Sequence, residues 1–387
     1  MKITIVGAGP AGLYAALLLK NHFPAADVCV LEQNSRGSSY GFGIVLAENG
    51  LERLRKAHAA SYEALMAASF ISRHRVISHP DESLFIEGGG YGGAISRLRL
   101  IEILEGFCVR AGVRVEFNTR VDDPGSLEDA GLVVGADGVN SMVRHDQALV
   151  FGTETYYLSN RLAWFGTNRH FPYPTLCFKR CKLGHFVMAG YAYSEKMSTF
   201  VAECDAATFR RSGLESMSED QQREFTQRVF GDELQGHSLI ANNSAYRRLP
   251  VVRNREWYVG NRVLIGDALH STHPSIGSGT RMAMEDSISL ADALALHQGD
   301  VNAGLEEFRR SREPAKSKLV LASTKSFNWY EEFGRKVDDL SAVDFVFDFL
   351  TRTGRISQER LIDEYPVFMN RHGRRWQHEN LRERAIP

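Results

Sequence analysis

The chain has 387 residues, a formal net charge of −1 and an isoelectric point near 6.9. That balance gives no reason to expect a nucleic acid or an anionic membrane as partner, and no apolar run approaches the length of a membrane span. The length exceeds what one core usually holds, and a 43% hydrophobic share is ordinary for a globular protein, so two domains and an appendage are expected.

Lys2 to Val6 is a short apolar run suited to a buried parallel strand. It runs into Gly7-Ala8-Gly9-Pro10-Ala11-Gly12. Gly7 permits a tight turn, Gly9 lets backbone approach a pyrophosphate, and Gly12 allows close helix–strand packing. Leu13 to Leu19 reads as the helix whose N-terminal N–H groups face the phosphates. Asp27 to Leu31 is a second buried strand, ended by Glu32, where a carboxylate accepts hydrogen bonds from an adenosine ribose; Gln33 follows in the same binding turn. Strand, helix, strand and acid together point to a bound dinucleotide.

A helical stretch is expected from Leu51 to Ala68, then strand and turn over residues 71–94. The run Gly88-Gly89-Gly90-Tyr91-Gly92-Gly93 lacks a preceding buried strand and a downstream acid, so it reads as a flexible turn rather than a second phosphate cradle. Leu98 to Val109 is an amphipathic helix, Val113 to Phe117 a strand, and Leu132 to Gly135 another buried strand. Between about 155 and 258, runs such as Leu162 to Gly166 and His185 to Ala189 suggest antiparallel strands, with a polar helix from Glu219 to Phe230. A strand at Val263 to Ile265 and a helix from Arg281 to Leu296 follow. The rest reads as helical, ending in an Arg-rich solvated helix or tail at Arg371 to Arg384. The first strand starts at Lys2, so no signal peptide is expected. The odd count of five cysteines (Cys29, Cys108, Cys177, Cys181, Cys204) fits reduced thiols in the cytoplasm. No second Cys/His pair accompanies Cys177 and Cys181, and no metal site is expected.

Two further motifs complete the pattern. Gly135-Ala136-Asp137-Gly138 runs on to Arg144, and Gly266-Asp267-Ala268 is followed by Pro274, Gly277, Ser278, Gly279 and Thr280. With Gly41 to Leu46, including Gly43 and Ile44, and with Ile95-Ser96-Arg97, the whole chain resembles the single-component FAD-dependent aromatic hydroxylases (group A flavoprotein monooxygenases). Within them it looks most like the branch of salicylyl-CoA 5-hydroxylases and the flavin domain of 2-aminobenzoyl-CoA monooxygenase. The violacein-pathway tryptophan hydroxylase is a more distant likeness. His270-Ser271-Thr272-His273, Trp329-Tyr330-Glu331 and Thr351-Arg352-Thr353 carry that likeness, while Pro274 departs from the Phe usual in the branch.

The resemblance implies an α/β fold. It comprises a Rossmann-like FAD-binding domain of the para-hydroxybenzoate-hydroxylase type, an inserted antiparallel substrate-binding sheet, and C-terminal helices. The expected boundaries are 1–70, 95–154 and 259–300 for the first, 71–94 and 155–258 for the second, and 301–387 for the third. It implies tightly bound FAD, NADH or NADPH as a visiting co-substrate, and O2. Reduced FAD would take up oxygen at C4a, and the hydroperoxide would hydroxylate a small electron-rich aromatic substrate, a hydroxy- or amino-aryl acid or its CoA thioester. The enzyme would be a monomer or homodimer. Asp267 would hold ribityl hydroxyls, and Gly277 and Gly279 would let backbone N–H groups face the flavin's pyrimidine end. Asp137, Arg144 and Arg97 would lie along the cofactor.

For proton transfer, His273 beside the flavin-facing Pro274 is the first candidate, a packing role being equally open. His270 resembles a position with a structural role. His185 and Tyr191 are placed as pocket-lining candidates on sheet strands, while Met188, Trp164 and Phe165 read as core. Other flavin chemistry, such as indole or alkaloid oxidation, stays open, as does a flavin-binding sensor without turnover. No Trp-x-Trp-x-Ile-Pro segment suggests a halogenase, and no Cys-x-x-Cys suggests a disulfide reductase.

Overall fold

The computed structural model describes residues 1–47 and 51–373. Strand Lys2–Val6 is buried from Ile3 onward, which requires cover on both faces of its sheet. That sheet has six strands in the order Tyr258–Val259, Arg262–Leu264, Leu132–Gly135, Lys2–Val6, Asp27–Leu31, Arg114–Glu116. All pairings are parallel except the edge hairpin formed by the first two. Helix Pro10–His22 is buried without a break from Ala11 to Leu19. A helix with no polar face needs neighbours all round. Helices Arg97–Arg110 and Gly279–Leu296 supply them, with the sheet behind.

The second sheet has eight strands: Leu239–Ile240, Arg161–Thr167, Ser198–Cys204, Gly184–Ala192, Thr175–Cys181, Phe70–Ser78, Ser83–Ser96 and Gly43–Ala47. Its pairings are antiparallel except between Thr175–Cys181 and Phe70–Ser78. Side chains alternate between faces. Cys177, Phe186, Met188 and Phe200 pack against Phe209, Phe225 and Phe230 of the inserted helical segment. Phe178 and Val187 pack on the opposite face against Trp329, Phe333 and Phe345. The long helix Val301–Glu331 therefore ties the halves together, with Phe308 in the core of the first sheet and Trp329 in that of the second.

Four expectations are corrected. The glycine run at 88–93 is no mobile turn but part of the 14-residue strand Ser83–Ser96. Its glycines serve close packing: a Cβ on Gly89 would fall 2.2 Å from the Tyr365 ring, and one on Gly88 would fall 2.7 Å from the Glu364 carbonyl oxygen. The stretch from Leu51 to Ala68 divides at His58 into helices Leu51–Ala57 and Ala59–Ala67. Gly43–Ala47, assigned above to the cofactor domain, pairs with Ser83–Ser96 in the second sheet. The C-terminal helices are no appendage, since they share a core with that sheet. Of the Arg-rich segment from Arg371 to Arg384, positions 374–384 lie outside the described residues. Among the described residues no helix is long and apolar enough to cross a membrane.

Candidate active site

The first glycine turn is locked by contact. A Cβ on Gly12 would stand 1.9 Å from the Gly7 carbonyl oxygen, whereas one on Gly9 would meet nothing within 4 Å. Gly12 is thus fixed by packing, and Gly9 opens onto space. That space is a cavity of about 320 Å³, lined at this end by Gly9, Pro10, Ala11, Gly138 and Arg97. A second cavity, of about 210 Å³, meets it at Gly9 and Arg97 and extends to Glu32, Asn34 and Tyr40. Together they form a trough running over the N-terminus of helix Pro10–His22. The Glu32 carboxylate accepts the Ala8 N–H at 2.8 Å and the Asn34 side-chain N–H at 2.6 Å, which holds it at the trough's far end. Arg97 has a buried Nε with no partner at the junction.

The other end is shaped by the Gly266 turn. Asp286 accepts the Gly266 N–H at 3.0 Å and pairs with Arg312 at 2.9 Å and with Lys316. This buried cluster fixes the turn, and the carboxylate of Asp267 opens on the cavity. Surrounding protein pushes its pKa up, while Lys316 and Arg97 oppose that shift. Gly277, Ser278, Gly279 and Thr280 line the cavity next to it. They begin helix Gly279–Leu296, whose first N–H groups have no acceptor within the helix.

Beyond Pro274, the wall comes from the second sheet and the long helix. Glu203, His273, Tyr191 and Tyr330 line it among Leu162, Leu176 and Val187. Glu203 Oε1 accepts from Asn160 Nδ2 at 2.8 Å. Its Oε2 lies 3.9 Å from His273 Nε2. Burial raises the Glu203 pKa to about 8. Burial, then the nearby Arg352, lowers that of His273 to about 3. His273 Nδ1 accepts the Ser275 N–H at 3.2 Å. The ring is therefore neutral with its proton on Nε2, facing Glu203, and it has no free lone pair with which to act as a base. Glu331 accepts the Ser159 and Asn160 backbone N–H groups at 2.9 and 3.0 Å, and Asn160 also donates to the Tyr330 carbonyl at 2.8 Å. These bonds hold the amide that orients Glu203.

A family model described as FAD binding domain matches residues 109–323, and one described as NAD(P)-binding Rossmann-like domain matches residues 5–54. The chain is 35% identical over 368 residues to salicyloyl-CoA 5-hydroxylase of a Streptomyces species, covering 91% of this chain and 70% of that protein. The chain belongs to the FAD-dependent aromatic hydroxylases. This hydroxylase is also 33% identical to protodeoxyviolaceinate monooxygenase of Chromobacterium violaceum, over 91% of this chain and 94% of that one. It is 31% identical to 3-hydroxy-4-methyl-anthranilyl-[aryl-carrier protein] 5-monooxygenase of Streptosporangium sibiricum, over 94% and 97%. Its fold matches a solved structure of 2-methyl-3-hydroxypyridine-5-carboxylic acid oxygenase with a TM-score of 0.69 at 20% identity, over 93% of this chain and 95% of that one.

FAD is the hydroxylase's cofactor, NAD(P)H its reductant and O2 its oxidant. The residues present fit the flavin nucleotide. The trough has an acid at one end, the unpartnered Arg97 Nε in the middle, a backbone opening at Gly9, and Asp267 with a helix N-terminus at the other end. Most expected cofactor residues meet there, with Ile44 in the wall and Gly7, Gly12, Gly43 and Gly266 behind it.

Others stand elsewhere. The Asp137 carboxylate accepts the Met142 N–H at 2.6 Å, so it caps the next short helix. Arg144 donates to the carbonyls of Val139 at 2.6 Å and Ala268 at 3.0 Å, strapping the Asp-Gly loop to the Gly-Asp loop. Gln33 is exposed outside the trough lining. His185, expected in the pocket, bonds Asp338 at 3.0 Å and packs on Phe333. It shares a face with Val187 but sits at the strand's far end, beyond the cavity. The His270 ring packs on Trp257, with burial lowering its pKa to about 3. Tyr191 lines the cavity but spends its hydroxyl proton on the Gly43 carbonyl at 2.8 Å. Trp164 and Met188, read as core, line the cavity, whereas Phe165 is fully buried.

Sequence reasoning missed Glu203 and Asn160 and gave Tyr330 no role. Glu203 was findable: an acid in Ser198–Cys204, among Phe200, Val201, Ala202 and Cys204, is out of place in a buried strand.

Proposed function

We propose that this hydroxylase places one oxygen atom on the ring of a hydroxy- or amino-aryl acid, free or as a thioester, with Glu203 handling the proton of the ring substituent. The observation that carries the reading is the carboxyl of Glu203, enclosed beside the flavin-facing turn with Oε2 left without a hydrogen bond. When bound, FAD supplies the chemistry: with two electrons from NAD(P)H it activates O2, one atom of which goes to the ring and the other to water. The chain's residues do the rest. Leu162, Leu176 and Val187 exclude water and hold the ring. Glu203 Oε2, in its carboxylate form, takes the phenol or anilinium proton, which makes the ring more nucleophilic. His273 Nε2–H steadies that carboxylate, and Tyr330 closes the far wall. NAD(P)H and unpaired cysteines suit a cytoplasmic enzyme, working as a monomer or homodimer.

The test is aerobic NADH and NADPH oxidation by the FAD-loaded protein with hydroxy- and amino-aryl acids, their thioesters and indoles, followed by mass spectrometry. A hydroxy- or amino-aryl compound that speeds oxidation and gains one oxygen atom supports the reading. A response to indoles alone removes it.

A further inference from the structure

A third cavity, of about 340 Å³, lies behind the aryl site, and one partition separates the two. Pro274, Ser275 and Gly277 line both spaces, so the turn from His273 to Gly277 belongs to that partition, with Tyr330 beside it. Within the turn, the Gly277 N–H reaches the Pro274 carbonyl at 2.8 Å, and Gly277 takes a φ of +57°. Further support comes from the C-terminal helices. Helix Val301–Glu331 presents two fully buried hydroxyls one turn apart. Ser323 Oγ accepts the His273 N–H at 3.1 Å, and Ser326 Oγ lies 2.8 Å from Ser275 Oγ. Arg352 caps the C-terminus of helix Ala342–Thr351. Its guanidinium donates to the Ser275 carbonyl at 2.7 Å, to Ser326 Oγ at 3.0 Å and to the Phe349 carbonyl at 2.7 Å. It also stacks on the Phe349 ring, 3.9 Å from the centroid.

One planar group thus ties the turn to the long helix and to a helix end. Its three acceptors are neutral, and enclosing a charge beside neutral acceptors is costly. The helix C-terminus offsets part of that cost. A side-chain amide would avoid it, but has too few donors to reach three acceptors in one plane. The charge also disfavours a second proton on His273, which keeps that ring neutral beside Glu203.

We propose that Arg352 is a positioning residue of the hydroxylase: by pinning Ser275 it keeps the partition closed, so that oxygen reaches the ring instead of leaving as hydrogen peroxide. Each outcome consumes one NAD(P)H, one proton and one O2. With the partition closed, one oxygen atom replaces a ring hydrogen as a hydroxyl and the other becomes water. With water admitted, both atoms leave as hydrogen peroxide and the ring is unchanged. The inference uses the family's reaction but not the assignment of Glu203 as the group that takes the proton.

The experiment compares FAD-loaded wild type with Arg352→Met, Arg352→Lys and Ser326→Ala. In hydrogen-exchange mass spectrometry, amides at 273–277 are expected to exchange about tenfold faster in Arg352→Met, the cost of losing a charged hydrogen bond. Helix Pro10–His22 should keep its protection. Arg352→Lys keeps the charge but not the fork, and should recover part of the effect. Ser326→Ala is the smaller lesion and serves if Arg352→Met does not fold; it should speed exchange at the same amides by a smaller factor. With an aryl substrate, product formed per NAD(P)H should fall in the same order of variants, with hydrogen peroxide making up the difference. Unchanged exchange at 273–277, or a product-to-NAD(P)H ratio equal to that of wild type, overturns the proposal. So does faster exchange over the whole chain with loss of FAD in both Arg352→Met and Ser326→Ala, the mark of a general stabilising role. The exchange measurement needs no aryl substrate, so it decides the matter even if the substrate panel fails. Glu203→Gln should leave exchange at 273–277 unchanged, which separates a wrong reading of Glu203 from a wrong reading of Arg352.

Discussion

The two ends of the central cavity are built on different principles. The cofactor end is made of backbone: glycine turns, helix N-termini, and carboxylates held by neighbouring N–H groups, mostly from segments that are short in sequence. The aryl end is made of side chains from three distant places: strand Ser198–Cys204, the loop at 159–160 and the end of helix Val301–Glu331. A backbone-built site tolerates little at a few positions, because a Cβ has nowhere to go. A side-chain-built site keeps its fold when one group changes, and alters its chemistry instead.

The sharpest way to break that contrast is Gly12→Ala. The new Cβ would stand 1.9 Å from the Gly7 carbonyl oxygen, so the turn must open. The purified variant is expected to lose its bound flavin completely, read by visible absorbance. A yellow, active variant would mean that the cradle is not set by this contact.

Glu203→Gln changes chemistry without changing shape. Turnover is expected to fall by about 10²- to 10⁴-fold, the usual range for removing a positioned acid–base group. The wild-type kcat/KM should rise with pH through about 8, where Glu203 ionises, and the variant should lack that rise. The sign for stability is opposite. A folded-state pKa raised above the unfolded value gives stability that is complete below the unfolded pKa, near 4.5, and is lost as pH climbs through about 8. Glu203→Gln should therefore gain stability relative to wild type across that window. An unchanged pH–rate profile would take Glu203 out of the reaction.

Asp286→Asn probes what lies behind the cofactor end. It leaves Lys316 without its carboxylate and loosens the Gly266 turn. Denaturant unfolding should show a loss of about 3 kcal/mol, as for other broken buried ion pairs, together with weaker FAD retention. A loss of stability with flavin affinity intact would separate the ion cluster from the turn.

The smallest effect is expected at His185→Ala. Its partner Asp338 is largely exposed, so the pair should contribute about 1 kcal/mol or less, with steady-state turnover unaltered. A marked loss of turnover would show that the cavity extends beyond its present wall.

How much was legible follows the same division. The strand–turn–helix at 2–22, Glu32, the Asp267 turn and the start of helix Gly279–Leu296 follow from local spacing, because each works within one stretch of chain. The glycine run at 88–93 was misread because its reason is tertiary: helix Gln358–Glu364 and Tyr365 press on strand Ser83–Ser96. His185 and Glu203 are both polar residues in strands of the second sheet. The sequence placed His185 on a sheet strand, but not how far along that strand the cavity reached. Asp137 and Arg144 lie in a recognised motif, yet Asp137 Oδ2 caps the following helix and Arg144 straps the loop to Ala268, bonds formed with chain on either side.

From the sequence alone, the dinucleotide cradle followed from particular residues at fixed local spacing, and the class of fold, FAD and the kind of reaction followed from the family resemblance that its motifs carry. Tertiary structure decided which acid lines the cavity beside His273, and that His273 Nδ1 accepts the Ser275 N–H, leaving its proton on Nε2. Those arrangements depend on strand register and helix docking between segments up to about three hundred residues apart, which no local pattern encodes.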